Sequence, residues 1–170
     1  MELKNKIQSY PDFPKKGIVF RDIWPLVGDP DVFNFITDSF ERHFRDKGDV
    51  IVGIESRGFV FGVALANRLR KPFVPIRKQG KLPGNTVAVN YEIEYGNDTM
   101  EIQSDVLSHG QRVIIIDDLL ATGGTASAAV KLVEKIGGDV IGLGFVVTLN
   151  PLQGMKKIEG YNIVTLTEYD

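Results

Sequence analysis

Two adjacent carboxylates, Asp117 and Asp118, close the β-branched run Val113-Ile114-Ile115-Ile116, and Thr122-Gly123-Gly124-Thr125 follows three residues later. Beyond that turn, Ala129, Leu132, Val133 and Ile136 recur at helical spacing, so the glycine pair sits where a helix begins. Free backbone N–H groups and the positive end of the helix dipole converge there, which is a place to hold phosphate. In a triphosphate-binding loop of the Walker type a lysine follows the glycines; here Ala126 and Ser127 follow, and the next lysine is Lys131. A paired acid one turn from a monophosphate cradle suits a ligand with vicinal hydroxyls at one end and a phosphate at the other. That ligand is a ribose 5-phosphate. Acid pairs and glycine pairs are each common in loops, and only their joint spacing behind a buried strand carries the inference.

Three other segments have chemistry to offer. Glu55-Ser56-Arg57-Gly58 follows the short apolar strand Val50 to Ile54, and a tight strand-to-helix turn with a permanent guanidinium can stabilise a departing anion. Arg77-Lys78-Gln79-Gly80-Lys81 places three cations in five residues. Tyr91-Glu92-Ile93-Glu94-Tyr95-Gly96 carries two glutamates on one face of an extended segment, and the pattern does not distinguish Glu92 from Glu94. Singly, each of these reads as an ordinary exposed loop.

The elements that must position them alternate between two periods. Asp29-Pro30 is a cap and first-turn proline for a helix with Phe33, Ile36, Phe40 and Phe44 on one face, ended by Gly48. An apolar helix spans about 59–69 and stops at Lys71-Pro72. Phe73 to Ile76, Val140 to Val147 and Ile163 to Leu166 read as further strands, and Gly96-Asn97-Asp98 reads as a hairpin turn within Tyr91 to Ile102. Buried strands alternating with helices predict an α/β fold, a mostly parallel twisted sheet flanked by helices, with ligands beyond the carboxyl ends of the strands. The opening, Tyr10-Pro11-Asp12-Phe13-Pro14, is unfit for a helix or central strand, and the apolar Ile18 to Val27 stretch after it predicts a small hood packed over the core.

Asp-Asp-Leu-Leu-Ala-Thr-Gly-Gly-Thr, with the Arg-Lys loop, resembles the phosphoribosyl-diphosphate motif of the type I phosphoribosyltransferases, and the likeness runs from Tyr10 to Glu168-Tyr169-Asp170. The resemblance implies one domain over 1–170, with a hood from about 1–28, a core from about 29–170 and a flexible catalytic loop. It implies transfer of the phosphoribosyl group of 5-phosphoribosyl 1-diphosphate to adenine, giving AMP and diphosphate, as a purine salvage step. It assigns the 5′-phosphate to Ala121, Thr122, Gly123, Gly124 and Thr125, and the ribose to Asp117 and Asp118. Diphosphate falls to Glu55, Ser56, Arg57, Arg77 and Lys81, with a cis peptide at Glu55-Ser56, and Lys78 beside them. Glu94 and Arg57 are the catalytic pair, with Glu94 acting at the purine; adenine lies with Phe20 stacked on it, backbone groups of Val19 and Arg21 at its edge, and Leu149 on the opposite face. Mg²⁺ is implied as the cofactor, carried by substrate and reached through water, with no direct protein ligand. A homodimer is implied because Arg77 would serve the neighbouring site. The chain departs from the family at Thr148 and Met155, where relatives frequently have Glu and Arg.

Whole-chain properties narrow the field. At 170 residues, with 20 basic against 22 acidic side chains and a pI near 5.7, the chain has no basic footprint for nucleic acid and no field for an anionic membrane. This argues against a DNA-binding regulator that keeps the fold as a ligand sensor. There is no cysteine, which excludes disulfide frameworks and thiolate metal sites. The first residues lack the apolar core of a signal peptide and no stretch reaches membrane-span length, so a cytoplasmic protein is expected. His43 and His109 lack partners at metal-ligand spacing. Within the class, an enzyme for xanthine, hypoxanthine or orotate is the competing expectation.

Overall fold

A computed structural model of the chain describes residues 2–93 and 96–170. The proline-bearing opening forms an antiparallel hairpin, β1 (Gln8–Pro11) with β2 (Val19–Asp22), which is a two-stranded sheet of its own. Short α1 (Trp24–Gly28) leads into α2 (Pro30–Phe44). Asp29 starts α2 as read from the sequence: its Oδ1 accepts from the N–H groups of Asp31 and Val32 at 3.1 and 3.3 Å, two donors that the first turn leaves unpaired.

The main sheet contains β3 (Val50–Ile54), β4 (Phe73–Lys78), β5 (Thr86–Ile93), β6 (Gly96–Gln103), β7 (Arg112–Leu120), β8 (Asp139–Leu149) and β9 (Ile163–Tyr169), with α3 (Gly58–Leu69) after β3 and α4 (Gly124–Lys135) after β7. Its order is β5-β6-β4-β3-β7-β8-β9. The five strands from β4 to β9 run parallel, and the β5–β6 hairpin joins antiparallel at the β4 edge. Every residue of β3 is buried, as are Val113 to Ile116, because helices cover both faces. Side chains alternate between those faces. Ile51, Ile114 and Ile116 meet Phe40, Phe44 and Phe61 on one side, while Val52, Ile54, Val113 and Ile115 meet Ala129 and Val133 on the other. Each such aromatic or branched side chain contributes about 1.5–3 kcal/mol by leaving water.

β4, β8 and β9 run past their sequence reading, to Lys78, Leu149 and Tyr169, and two further differences bear on the site. The motif strand continues past Ile116 through both aspartates to Leu120, because the eleven-residue β8 pairs with it as far as Leu120↔Thr148. The hairpin begins earlier, at Thr86, and Gly96-Asn97-Asp98 opens β6 opposite Ile93, Glu92 and Tyr91. Thr86 to Asn90 alternates as a strand should, but it follows Pro83-Gly84 and reads locally as a loop.

The chain passes from β3 outward to β4 on one side, and from β7 outward to β8 and β9 on the other. β3 and β7 are neighbours, with Gly53 opposite Ile116. Their carboxyl ends form the switch point of the sheet, where departing loops diverge and leave a crevice.

Candidate active site

The acid pair stands at that switch point. Asp117 and Asp118 are buried at 6 and 5 % exposure, and Asp117 Oδ1 accepts the N–H of Asp118 at 2.9 Å. Burial, and next the charge of Asp118, raise the Asp117 carboxyl well above the usual carboxylate range. Gly58 opens α3 directly beside it: a Cβ there would lie 2.6 Å from Asp117 Oδ1. Only a glycine allows the helix to start this close to the acid.

Asp118 meets the neighbouring loop through Arg57, whose Nε lies 2.9 Å from Oδ2. Asp118 Oδ2 nevertheless has no hydrogen-bond partner among the described residues, so the contact is a charge contact off the N–H direction, and Arg57 Nη1 is likewise buried and unpartnered. The loop carrying Arg57 has a cis peptide at Glu55-Ser56. It delivers Arg57 to the N-terminus of α3, just as Thr122 to Gly124 delivers the chain to the N-terminus of α4. Two helix dipoles therefore present positive ends to one crevice. Gly123 has φ +77°, and a Cβ on it would collide with the carbonyl of Gly154, so the turn requires glycine for conformation and for space.

A cavity of about 590 Å³ joins these parts, lined among others by Glu55, Ser56, Arg57, Lys81, Asp117, Asp118, Ala121, Thr122 and Thr125. Lys78, Tyr91 and Glu92 line it too. Arg77 does not. Its guanidinium lies outside, with Nε and Nη2 donating to Glu55 at 3.3 and 3.4 Å and Nη1 donating to the Lys81 carbonyl. The Glu55 carboxylate also accepts from Lys81 Nζ at 2.5 Å and from the Lys78 N–H at 2.9 Å. Burial pushes Glu55 up, but Lys81, the Lys78 N–H and Arg77 together outweigh it and hold the acid at about 2. Glu55 thus organises the cation loop.

Lys78 and Tyr91 meet through a residue that sequence reasoning did not single out. Asp98 pairs with Lys78 Nζ at 2.8 Å and accepts from the Tyr91 hydroxyl at 3.2 Å. Burial, then the charge of Asp98, pushes the Tyr91 phenol up to about 12, so it stays a donor. Tyr91 and Asp98 are register partners across β5 and β6; the hairpin pairing is the signal that would have joined them. Glu92 is exposed at the cavity. Glu94 lies outside the described residues.

A second cavity, about 430 Å³, opens beside the first, with Arg57, Leu119 and Ala121 shared between them. Ile18, Val19, Arg21, Leu149, Leu152 and Tyr169 line it. Val19 and Arg21 line it and Phe20 does not; the Phe20 ring stands edge-on to Phe13 at 5.2 Å, with the guanidinium of Arg57, which lines both cavities, 5.4 Å from its centre. Of the two departures, Thr148 is buried, its hydroxyl 2.9 Å from that of Thr165, and Met155 lines a smaller neighbouring cavity. Among the described residues no three His, Asp or Glu side chains converge as a metal cage.

The phosphoribosyl transferase domain model matches residues 31–169. A protein named adenine phosphoribosyltransferase from Nitrosopumilus maritimus is 52 % identical over 170 residues, covering 99 % of this chain and all of that one. The adenine phosphoribosyltransferase structure from Thermoanaerobacter pseudethanolicus superposes with a TM-score of 0.95 at 48 % identity over 98 % of both chains. That from Saccharomyces cerevisiae, complexed with an imino-altritol bisphosphate and adenine, gives 0.91 at 44 % identity over 96 % of both. A domain model that spans most of the sequence, a relative alike from end to end and a shared fold agree: the chain belongs to the phosphoribosyltransferase family, among the adenine phosphoribosyltransferases.

Proposed function

We propose that the larger cavity takes 5-phosphoribosyl 1-diphosphate and the smaller one adenine, and that the chain joins them into AMP with release of diphosphate. The observation that carries this reading is the placement of Asp117-Asp118 between two helix N-termini, at the seam with an apolar cavity that shares Arg57. In the reaction the bond from the anomeric carbon to diphosphate breaks, a purine ring nitrogen forms the new bond, and the purine loses a proton.

In this reading Ala121 to Thr125 hold the 5′-phosphate, while Asp117 and Asp118 accept from the ribose hydroxyls and favour positive charge developing at the anomeric carbon. The loop Glu55-Ser56-Arg57 takes the leaving diphosphate, with the free Nη1 of Arg57 as one ready donor. Lys81 exchanges its contact with Glu55 for the diphosphate, and Lys78 supports it. Val19 and Arg21 present backbone groups to the adenine edge, the Phe20 ring, which stands beside Arg57 at the seam of the two cavities, moves over the base as the stacking face, and Leu149 lies across from it. Glu94 takes the purine proton, and its neighbours in β5 and β6 form the arm that excludes water. Orientation and charge complementarity do the work without a covalent intermediate.

A divalent cation fits this donor set as cargo of the substrate. Asp117 and Asp118, carboxylates that line this cavity, would reach Mg²⁺ through water; when bound it would neutralise charge on the departing diphosphate. The homodimer and the cytoplasmic location belong to the same proposal, with Arg77, half-buried outside its own cavity, directed to the neighbouring subunit. The deciding experiment incubates the protein with adenine and phosphoribosyl diphosphate, with and without Mg²⁺. AMP is expected only with the metal; AMP failing to appear, or forming faster from hypoxanthine, overturns the assignment of the base. Sedimentation of the same sample tests the dimer.

A further inference from the structure

The hairpin β1–β2 carries the base-recognising segment, yet it does not belong to the seven-stranded sheet. What fixes its distance from Leu149 must therefore be side-chain contact. One such contact stands out. The guanidinium carbon of Arg21 lies 4.0 Å from the centre of the Tyr169 ring, within cation–π range. Arg21 is itself held on the hairpin by donating to the Ser9 hydroxyl of its register partner. Tyr169 in turn is the register partner of Leu149 at the carboxyl ends of β9 and β8.

The wall beyond Leu149 is tied to the same strand end. Asn150 Nδ2 donates to Glu168 at 3.2 Å and to Asp170 at 2.9 Å. The ring of Tyr169 also has Lys4 Nζ 5.3 Å from its centre. The end of β9 thus touches the hood, the Leu149 strand and the segment that follows it, and both Tyr169 and Asp170 line the smaller cavity.

We propose that Tyr169 is a positioning residue for the purine: by seating Arg21 it sets the width of the slot between the Val19–Arg21 backbone and Leu149. This rests on the smaller cavity being the adenine site. The role belongs to the aromatic face. The cation is attracted by the ring, not by the hydroxyl, so phenylalanine serves and an aliphatic side chain of similar bulk does not.

The test compares Tyr169→Leu, Tyr169→Phe and Arg21→Leu with the unaltered protein in AMP synthesis. Tyr169→Leu is expected to raise KM for adenine about fivefold or more, with kcat and KM for phosphoribosyl diphosphate within about twofold. Tyr169→Phe restores the adenine KM. Arg21→Leu reproduces the phenotype of Tyr169→Leu, and the double variant Arg21→Leu with Tyr169→Leu is no worse than either single one. An unmoved adenine KM in Tyr169→Leu, equal damage in the phenylalanine variant, or a joint rise of both KM values overturns the proposal. Should Tyr169→Leu not fold, Arg21→Leu decides alone, since it removes the same contact from the hood side. If the unaltered protein makes no AMP, it is the assignment of adenine that fails instead.

Discussion

Arg57 stands with Nε 2.9 Å from Asp118 Oδ2, yet its Nη1 is buried without a partner among the described residues. The pair balances charge while leaving donors of the fork unspent, the arrangement expected of a group that gains a ligand where negative charge accumulates. Arg57→Ala is expected to lower kcat/KM for phosphoribosyl diphosphate by about 100-fold or more, and Arg57→Lys to recover little of it, because a point charge cannot replace the planar fork. Arg57→Ala also leaves Asp118 buried and uncompensated. Thermal melts separate the two effects: adding Asp118→Asn to Arg57→Ala regains stability and does not regain turnover.

Asp117 gives a pH-dependent counterpart. Folding raises this carboxyl, so its charged form costs stability above the ordinary carboxylate range, and the cost vanishes in acid where folded and unfolded chains are both protonated. Asparagine keeps an oxygen to accept the Asp118 N–H and cannot ionise. Asp117→Asn is therefore expected to melt with the unaltered protein at about pH 3 and above it at about pH 8, while its turnover falls at least about tenfold through loss of charge beside the anomeric carbon. A variant that is less stable at the higher pH would contradict the buried-acid account.

The strand that carries the acid pair was legible because a β-branched run has only one way to be buried on both faces, and the helix starts because Asp29-Pro30 and Gly123-Gly124 state their local geometry. The cation loop was legible as charge but not as structure. That Arg77 and Lys81 both rest on Glu55 depends on β3 and β4 lying side by side, which no window containing either segment reveals. The same holds for Tyr91 with Asp98 and for Tyr169 with Leu149, pairs made by register between strands. Phe20 exposes a further limit: alternation says that it opposes Val19 and Arg21, but only the packing of the hood says which face meets the cavity.

Glu55 is the residue whose structural part in the site is greatest relative to its exposure. Its folded pKa lies at about 2, below the ordinary glutamate value, so its ion pairs and hydrogen bonds stabilise the protein above about pH 4.5 and are lost as pH falls toward 2. Glu55→Gln is expected to cost about 1–3 kcal/mol at pH 7, with the gap to the unaltered protein closing in acid. Because the 77–81 segment loses its anchor, KM for phosphoribosyl diphosphate rises more than KM for adenine. Urea unfolding at several pH values and a two-substrate kinetic matrix read both; a stability gap that stayed constant down to pH 2 would remove the carboxylate from the explanation.

Gly123 and Gly160 separate strain from obstruction. Both have positive φ, +77° and +94°, but a Cβ on Gly160 meets nothing within 4 Å whereas one on Gly123 runs into the Gly154 backbone. Alanine at either position incurs the left-handed backbone cost, about 1–2 kcal/mol. At Gly123 the turn must also move away from Gly154, carrying with it the N–H groups that begin α4. Gly160→Ala should lower the melting temperature by a few degrees, an effect of about 1 kcal/mol, and leave the affinity for ribose 5-phosphate intact. Gly123→Ala should weaken that affinity about tenfold or more, since a cradle of backbone donors displaced from its ligand loses charge-assisted hydrogen bonds worth about 1.5–3 kcal/mol each. Calorimetric titration of both variants with ribose 5-phosphate measures this directly. Equal affinities in the two variants would mean that the Thr122–Thr125 turn is not where the phosphate binds.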